Sequence, residues 1–485
     1  MNFISISFIA FLLLTTFVFY VLPKKLQWRW LLAISIYFYL CFDIRFIAFL
    51  GGSALIAYVG AIVLSRLKTK QTIYKKIILS LIIGLNIGIL IFIKYCNYLI
   101  GVTNVIANRL GWSLSFYGID ILVPIGISFY TLQIVGYCID VYREKTLPQM
   151  NFFKFFLFTS FFPQILQGPI ARYENLSPQF FREKSFDYKL YKFGWQLILW
   201  GFFKKMVIAD RAAIFVNEVF GNISKYEGIT LLSAAILYSV QIYADFSGCV
   251  DIARGVAELF QIHLVHNFER PYAATSISDF WRRWHISLST WLRDYVYIPL
   301  GGNRKGSVRK AVNILIVFTV SGLWHGAGIH YIFWGLSHGL YQVIGMIKNR
   351  LIKVESRKDC KYIQVFQRGV TFGLVTLSWI FFRADTLRDA FLFVKRMLFF
   401  NPWVLWDSSL YQLGIDRRTF CILIISMIIW GVVSHLQKNL SIREWINQKN
   451  IVFRWTIYLV GIFAILIFGV YGVGYNASDF IYGAF

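Results

Sequence analysis

Apolar runs of roughly 17–23 residues recur along the whole chain, and no other feature narrows its possible folds as much. A run that long and that poor in charge crosses a bilayer as an α-helix, because a helix satisfies its own backbone inside hydrocarbon. The 485 residues are 58 % hydrophobic and only 15 % charged, which is unlike any ordinary soluble domain. A transmembrane β-barrel would instead alternate apolar and polar residues in segments of about ten. The expected class is all-α: a polytopic helical membrane protein.

The runs fall at 3–22, 28–42, 46–64, 77–99, 119–139, 193–210, 229–247, 311–327, 330–347, 365–382, 418–436 and 454–475. Residues 152–170 are also apolar but are broken by Pro163, Gly168 and Pro169 and flanked by cations on both sides, which predicts a re-entrant hairpin. Dense Lys/Arg clusters follow alternate spans, as at Arg66–Lys76, Arg172–Lys192 and Lys348–Lys361. Placing these clusters in the cytoplasm predicts about 11–12 spans with both termini extracytoplasmic. The first run lacks a basic leader and a small-residue cleavage site, so it reads as a retained span. No repeat or low-complexity linker appears, and residues 1–485 are read as one domain.

The formal charge of +25 comes from 49 Lys+Arg against 24 Asp+Glu. Because the cations lie between spans, anionic lipid headgroups explain them more simply than nucleic acid does. The six cysteines are scattered singly, so neither disulfides nor zinc are indicated.

Chemistry concentrates in a few stretches. Ser321-Gly-Leu-Trp-His325-Gly-Ala-Gly328 places an ionisable ring within or at the rim of a span, where such a group is costly and by default functional. Glycines 322, 326 and 328 leave room for a neighbouring backbone or a substrate. Residues 279–295 project as one amphipathic helix at the membrane surface. Trp281, Trp284, Leu288, Trp291 and Tyr295 share a face, Asp279, Arg282, Arg283 and Arg293 lie opposite, and His285 is near the boundary. Arg282, Arg283, Arg304 and Lys305 would form a basic platform for a phosphorylated donor. Asp245 and Asp251 are read mainly as partners of arginines such as Arg254 and Arg270. Histidines 330, 338 and 435 show no metal-ligand spacing, and neither a Walker A loop nor a G-x-S-x-G elbow is present.

Six motifs in order carry a resemblance: YADFSGCVD (243–251), NFERPY (267–272), SDFWRRWHISLSTWLR (278–293), YIPLGGNRKG (297–306), LWHGAG (323–328) and FFRA (381–384). With FFPQILQGP (161–169), they make the chain similar, nearly end to end, to the membrane-bound O-acyltransferases of the bacterial alginate O-acetylase type. The resemblance implies a multi-helix membrane fold in a bacterial cell membrane, with His325 in the catalytic position and His285 as a second implicated histidine. It further implies acetyl-CoA as acyl donor, no permanently bound cofactor, and an extracytoplasmic SGNH-type partner that passes the acetyl group to a sugar hydroxyl of peptidoglycan or an alginate-like polymer. Phe480-Ile-Tyr482-Gly-Ala-Phe485 resembles the family's F-x-Y-x-x-F tail, which makes Tyr482 a candidate acyl acceptor. Such a hydroxyl, with a free pKa near 10, needs a base such as His325. Competing readings are D-alanyl transfer to teichoic acid, lipid or protein acylation, a lipid or polysaccharide transporter, and a scaffold that recruits the partner. A transporter would be expected to show inverted repeats, and the sequence shows none.

Overall fold

The computed structural model describes residues 5–67, 71–112, 115–165, 167–351 and 360–471, and these are helical with no strand among them. The first third holds α1 (Ile6–Val21), α2 (Gln27–Leu40), α3 (Ile44–Arg66), α4 (Thr72–Arg109) and α5 (Ile127–Tyr142). Three short helices follow: α6 (Phe152–Ser160), α7 (Phe162–Ile165) and α8 (Tyr173–Phe180). Then come α9 (Tyr188–Phe202), a π-helical turn at Phe203–Ala209, α10 (Asp210–Gly221) and α11 (Ile229–Leu259). The motif-rich middle forms α12 (Ile277–Arg283) and α13 (Ile286–Leu292). The chain continues through α14 (Gly306–His325), α15 (Ile329–Leu351), α16 (Lys361–Arg383) and α17 (Leu387–Met397). It finishes in α18 (Arg417–Leu436), α19 (Ile442–Asn447) and α20 (Ile451–Phe468).

Seven of these helices, α3, α4, α11, α14, α16, α18 and α20, are both long and apolar enough to cross a membrane. The other expected runs fall on helices that are shorter, such as α1, α2 and α5, or that carry more polar residues, such as α15. One expected boundary is wrong. The run at 119–139 becomes helical only at Ile127, because Pro124 lacks an amide hydrogen and Gly126 takes a left-handed φ of 75°. The extended stretch before it is held by α4. Asn104 exchanges two hydrogen bonds with the backbone of Phe116, at 2.7 and 2.8 Å, and Asn97 does the same with Ile119, both at 2.9 Å. Gly126 also lets the chain touch the broken hairpin, since a Cβ there would lie 2.2 Å from the Ile165 carbonyl oxygen.

The hairpin expected at 152–170 is a pair of short helices, α6 and α7, whose phenylalanines 155, 156, 158, 161 and 162 are all buried. At 9 and 4 residues these helices rise about 14 and 6 Å, too little to cross a ~30 Å hydrocarbon core. Inside the fold, Ser35 accepts from the Phe162 amide at 3.2 Å, and the Gln164 side-chain amide donates to the Pro169 carbonyl at 2.6 Å. The broken backbone is therefore satisfied by protein.

Helices α9 and α11 meet backbone to backbone at two places. A Cβ on Gly194 would sit 2.8 Å from the Gly255 carbonyl oxygen and one on Gly255 2.6 Å from that of Gly194. The same reciprocal contact joins Gly201 to Gly248 at 2.6 and 2.9 Å. Two glycine pairs one above the other bring the backbones together, as small residues do in membrane packing. Just beyond, the π-helical turn points two adjacent lysines at α11. Lys204 meets Asp251 at 2.6 Å, and Lys205 meets Asp245 at 2.7 Å and Asp210 at 2.8 Å. In a regular helix neighbouring side chains diverge by about 100°, and a π-turn is one way both can face the same partner.

These contacts make a measurable claim. A Gly201→Val substitution forces a branched side chain against backbone and should abolish recovery of monodisperse protein in detergent. Lys205→Met leaves two buried carboxylates with lost charge compensation and should cost ~3–5 kcal/mol, read as a drop in Tm. Restoring neutrality with Lys205→Met and Asp245→Leu together should recover part of that loss.

Candidate active site

The stretch expected to be one interfacial helix is broken, and the break makes the site. Helix α12 starts on Ser276, whose hydroxyl accepts from the Asp279 amide at 3.1 Å, and stops at Arg283. Trp284 is extended and His285 takes a left-handed conformation, φ 44° and ψ 52°, before α13 begins. Asn267 holds the break open: its carbonyl accepts from the Ile286 amide and its side-chain oxygen from the Ser287 amide, both at 3.0 Å. The Ser287 hydroxyl in turn accepts from the Ile170 amide at 3.0 Å, which ties the break to the buried hairpin. Trp281, Trp284, Leu288 and Trp291 are buried in protein rather than laid on a membrane surface. A regular helix would have left His285 near the rim; the break turns it inward, and it is 1 % exposed.

His325 ends α14 and is 2 % exposed. Its ring is met nearly edge-on by Trp324 at 4.8 Å, Trp334 at 5.0 Å and Phe382 at 5.2 Å between centroids. His285 also packs on Trp324, 6.0 Å from that indole, and on Phe246 at 4.8 Å. The structure therefore brings together the two histidines singled out in the sequence, both in contact with Trp324. The glycines near His325 serve helix packing: a Cβ on Gly322 would lie 2.3 Å from the Tyr331 carbonyl oxygen, and one on Gly335 2.2 Å from that of Phe318. They clamp α15 against α14 and so bring Trp334 onto His325.

The sequence reading missed two residues that hold this end of α14. Lys94 of α4 donates to the Trp324 carbonyl at 3.0 Å, with its ammonium 5.8 Å from the Trp324 ring centre. Tyr95 donates to the carbonyls of Leu323 and, at 3.1 Å, Gly326. The last carbonyls of a helix have no partner within the helix, and its C-terminus favours a cation. Lys94 and Tyr95 supply both requirements from another helix. The signal was a lone lysine inside an apolar run, which is functional until shown otherwise.

A third histidine extends the cluster. His338 is fully buried, 5.4 Å from Trp334 and 5.1 Å from Trp281. Among the described residues, its ring nitrogens and the indole nitrogens of Trp281 and Trp334 have no hydrogen-bond partner. Buried donors left unmet cost ~1–3 kcal/mol each, so a set of them in one place marks a position for water or substrate polar atoms.

Two cavities of about 390 and 350 Å³, lined by none of His285, His325 and His338, share Tyr243, Arg270, Ser434 and Lys438 as walls, and Tyr243 packs on Trp284, next in the chain to His285. Arg283 and Arg368 line the first, Arg254 and Arg443 the second. Arg270, Arg368 and Lys438 enter no ion pair among the described residues, whereas Arg283 is held by Asp279 at 3.0 Å. Three uncompensated cations suit an anionic ligand. His266, also in the wall, is held below its ordinary pKa by burial and then by Arg254, whose guanidinium lies 3.1 Å from its Nε2. Of the basic platform expected from sequence, Arg283 alone reaches these cavities, while Arg282, Arg304 and Lys305 are exposed and line neither. The aspartates behave as ion-pair partners, but chiefly of lysines: Asp251 takes Lys204 and Arg254, Asp245 takes Lys205, and Arg270 stays apart. Tyr482 and its motif lie outside the described residues.

This arrangement, a buried histidine at the end of one helix with a second facing it from a broken segment, sits in a chain that belongs to the membrane-bound O-acyltransferase family. The family model matches residues 143–384, which include both histidines. The chain is thus a multi-pass membrane O-acyltransferase. It is 34 % identical over 427 residues to a peptidoglycan O-acetyltransferase of Helicobacter pylori, covering 82 % of this chain and 78 % of that one. A probable alginate O-acetylase of Pseudomonas putida is 35 % identical over 408 residues, covering 83 % and 81 %. A teichoic acid D-alanyltransferase of Streptococcus thermophilus is 26 % identical over 290 residues, covering 53 % and 68 %.

The clamp from α4 is open to test. Lys94→Met removes a charged donor from a buried carbonyl and should lower stability by ~1–3 kcal/mol, seen as a lower Tm. It should also reduce acyl transfer more than Tyr95→Phe does, because Lys94 holds the carbonyl of Trp324 itself, whereas Tyr95 holds the flanking carbonyls of Leu323 and Gly326.

Proposed function

We propose that this enzyme takes acetyl from acetyl-CoA at the cytoplasmic face of a bacterial cell membrane. The acetyl group is then delivered across the membrane for O-acetylation of peptidoglycan or an alginate-like exopolysaccharide. The observation that carries the reading is the pair of buried histidines that both pack on Trp324. The basic ends of the helices face the cytoplasm, both termini lie outside, and the cavity walled by Arg270, Arg368 and Lys438 receives the donor's phosphates. From there the thioester arm runs past the unmet nitrogens of Trp281, Trp334 and His338 to His325.

At the reaction centre, His325 acts as general base. Its ring takes the proton of an acceptor hydroxyl, the hydroxyl oxygen attacks the thioester carbon, and the carbon–sulfur bond breaks. The imidazolium then returns a proton to the departing thiolate. A neutral imidazole is needed at the start, and aromatic walls that exclude water favour it. His285, which packs on the same Trp324, orients the donor or polarises its carbonyl. The acceptor is the tail hydroxyl of Tyr482 or a serine of an SGNH-type extracytoplasmic partner, which then passes the acetyl group to a sugar. The longer coverage and higher identity of the O-acetylating relatives favour this over D-alanyl transfer.

Membranes incubated with labelled acetyl-CoA should transfer label to the chain, the partner or the polymer. His325→Ala should insert normally and lose at least ~10²-fold of that transfer, the usual scale for a general base; full activity would end the proposal. Tyr482→Phe run alongside separates the tail from the partner as acceptor. Reversing both Arg270 and Lys438 to Glu should raise the acetyl-CoA KM about tenfold or more, given ~1.5–3 kcal/mol for a hydrogen bond to a charged group. An unchanged KM would remove the cavity from donor binding.

A further inference from the structure

A third cavity, of about 610 Å³, lies away from the histidines, between α9 and α20 with Ile9 of α1 at one edge. Its two walls run in the same direction from the basic end of the bundle. At that end stand Lys192 and Arg454, close enough for each to feel the other's charge. Lys192 donates to the Asn447 side chain, and among the described residues neither cation has an ion-pair partner. Glu444, on the same rim, is taken by Lys189 at 2.9 Å. Next along the groove, the Gln196 side chain donates to the Tyr458 hydroxyl at 2.6 Å, bridging the walls. Beyond that bridge the lining is hydrocarbon: Leu199, Phe202, Ile462, Ile465 and Leu466.

The sequence of surfaces, cations, then a polar bridge, then an apolar channel, is the profile of a phospholipid. From Arg454 to Leu466 the helix rises about 18 Å, close to the ~15 Å depth of one leaflet. Helix α20 has the composition of a lipid-facing helix, with a mean hydropathy of 2.3 and only 6 % of its window buried. Trp455, 56 % exposed at the cationic rim, stands where aromatic anchors sit at headgroup level. Two cations at one rim, neither in an ion pair among the described residues, suit an anion even with Glu444 nearby, and the channel below them suits a chain. A soluble phosphate would satisfy only the first.

We propose that the groove between α9 and α20 binds one anionic phospholipid of the leaflet at the basic end, its phosphate between Lys192 and Arg454 and an acyl chain along Leu199 and Ile462. At Gly461 the two helices come together, a Cβ there lying 3.0 Å from Leu199, and the lipid lies along that seam from the cationic rim to Leu466. It thereby fixes the last described span against the helix that carries the lysine turn. The site is separate from the donor cavity and uses none of its residues.

The test is native mass spectrometry of the purified full chain in detergent, titrated with phosphatidylglycerol or phosphatidylcholine of identical chains. One phosphatidylglycerol should be retained at least about fivefold more than phosphatidylcholine. Lys192→Ala with Arg454→Ala should erase that preference, and Leu199→Trp, which fills the channel, should lower retention of both lipids. Equal retention of the two lipids by the unaltered protein would overturn the proposal, as would an unchanged preference in the double variant. Two competitors on unaltered protein decide it even if the variants fold poorly. Glycerol phosphate displacing the lipid at equal concentration would make the site one for free phosphate. Displacement by acetyl-CoA would make it part of the donor path.

Discussion

The contact between α9 and α11 is the constraint on which the rest of the bundle depends. Two reciprocal glycine pairs set the helices at backbone distance, and at that separation there is no room for water between them. The lysines of the π-helical turn are therefore obliged to find their counter-charges on α11, and they do, at Asp245 and Asp251. Those aspartates in turn fix the height at which α11 presents Phe246 and Tyr243. Phe246 packs on His285, and Tyr243 walls the basic cavities. A packing requirement far from the chemistry is thus transmitted to both the buried histidine and the cationic entrance through one helix.

The membrane-spanning pattern was legible because bilayer thickness imposes a length on each apolar run. So was the break at 152–170, where proline and glycine interrupt hydrocarbon. Projection on a helical wheel failed at 279–295 for a specific reason. The periodicity of Trp281, Trp284, Leu288 and Trp291 is real, but all four are buried in a fold that surrounds them, and Asn267 supplies hydrogen bonds that a broken helix needs. Nothing local to residues 279–295 announces a partner twelve positions upstream of the segment's start. The cationic wall was illegible for a similar reason. Arg270, Arg368 and Lys438 come from a loop, the middle of α16 and the end of α18, and tertiary packing alone assembles them. The family motifs pointed to His325 and His285 without showing that both pack on one indole.

Trp324 is the residue that both histidines share: its ring contacts each of them, its carbonyl is held by Lys94, and its indole nitrogen reaches the Ser128 carbonyl at 3.4 Å. Trp324 thus ties the end of α14 to α4, to α5 and to both histidines.

The left-handed backbone at His285 has a consequence for how that position is interrogated. A φ of 44° is a conformation that a side chain with a Cβ adopts at a cost of ~1–3 kcal/mol, and that asparagine tolerates better than alanine. An alanine there would change two things at once, the imidazole and the ease of the bend that aims it. Asparagine keeps the bend and removes the ring, so it isolates the contribution of the imidazole. The placement of the His285 ring is inseparable from the shape of the chain beneath it.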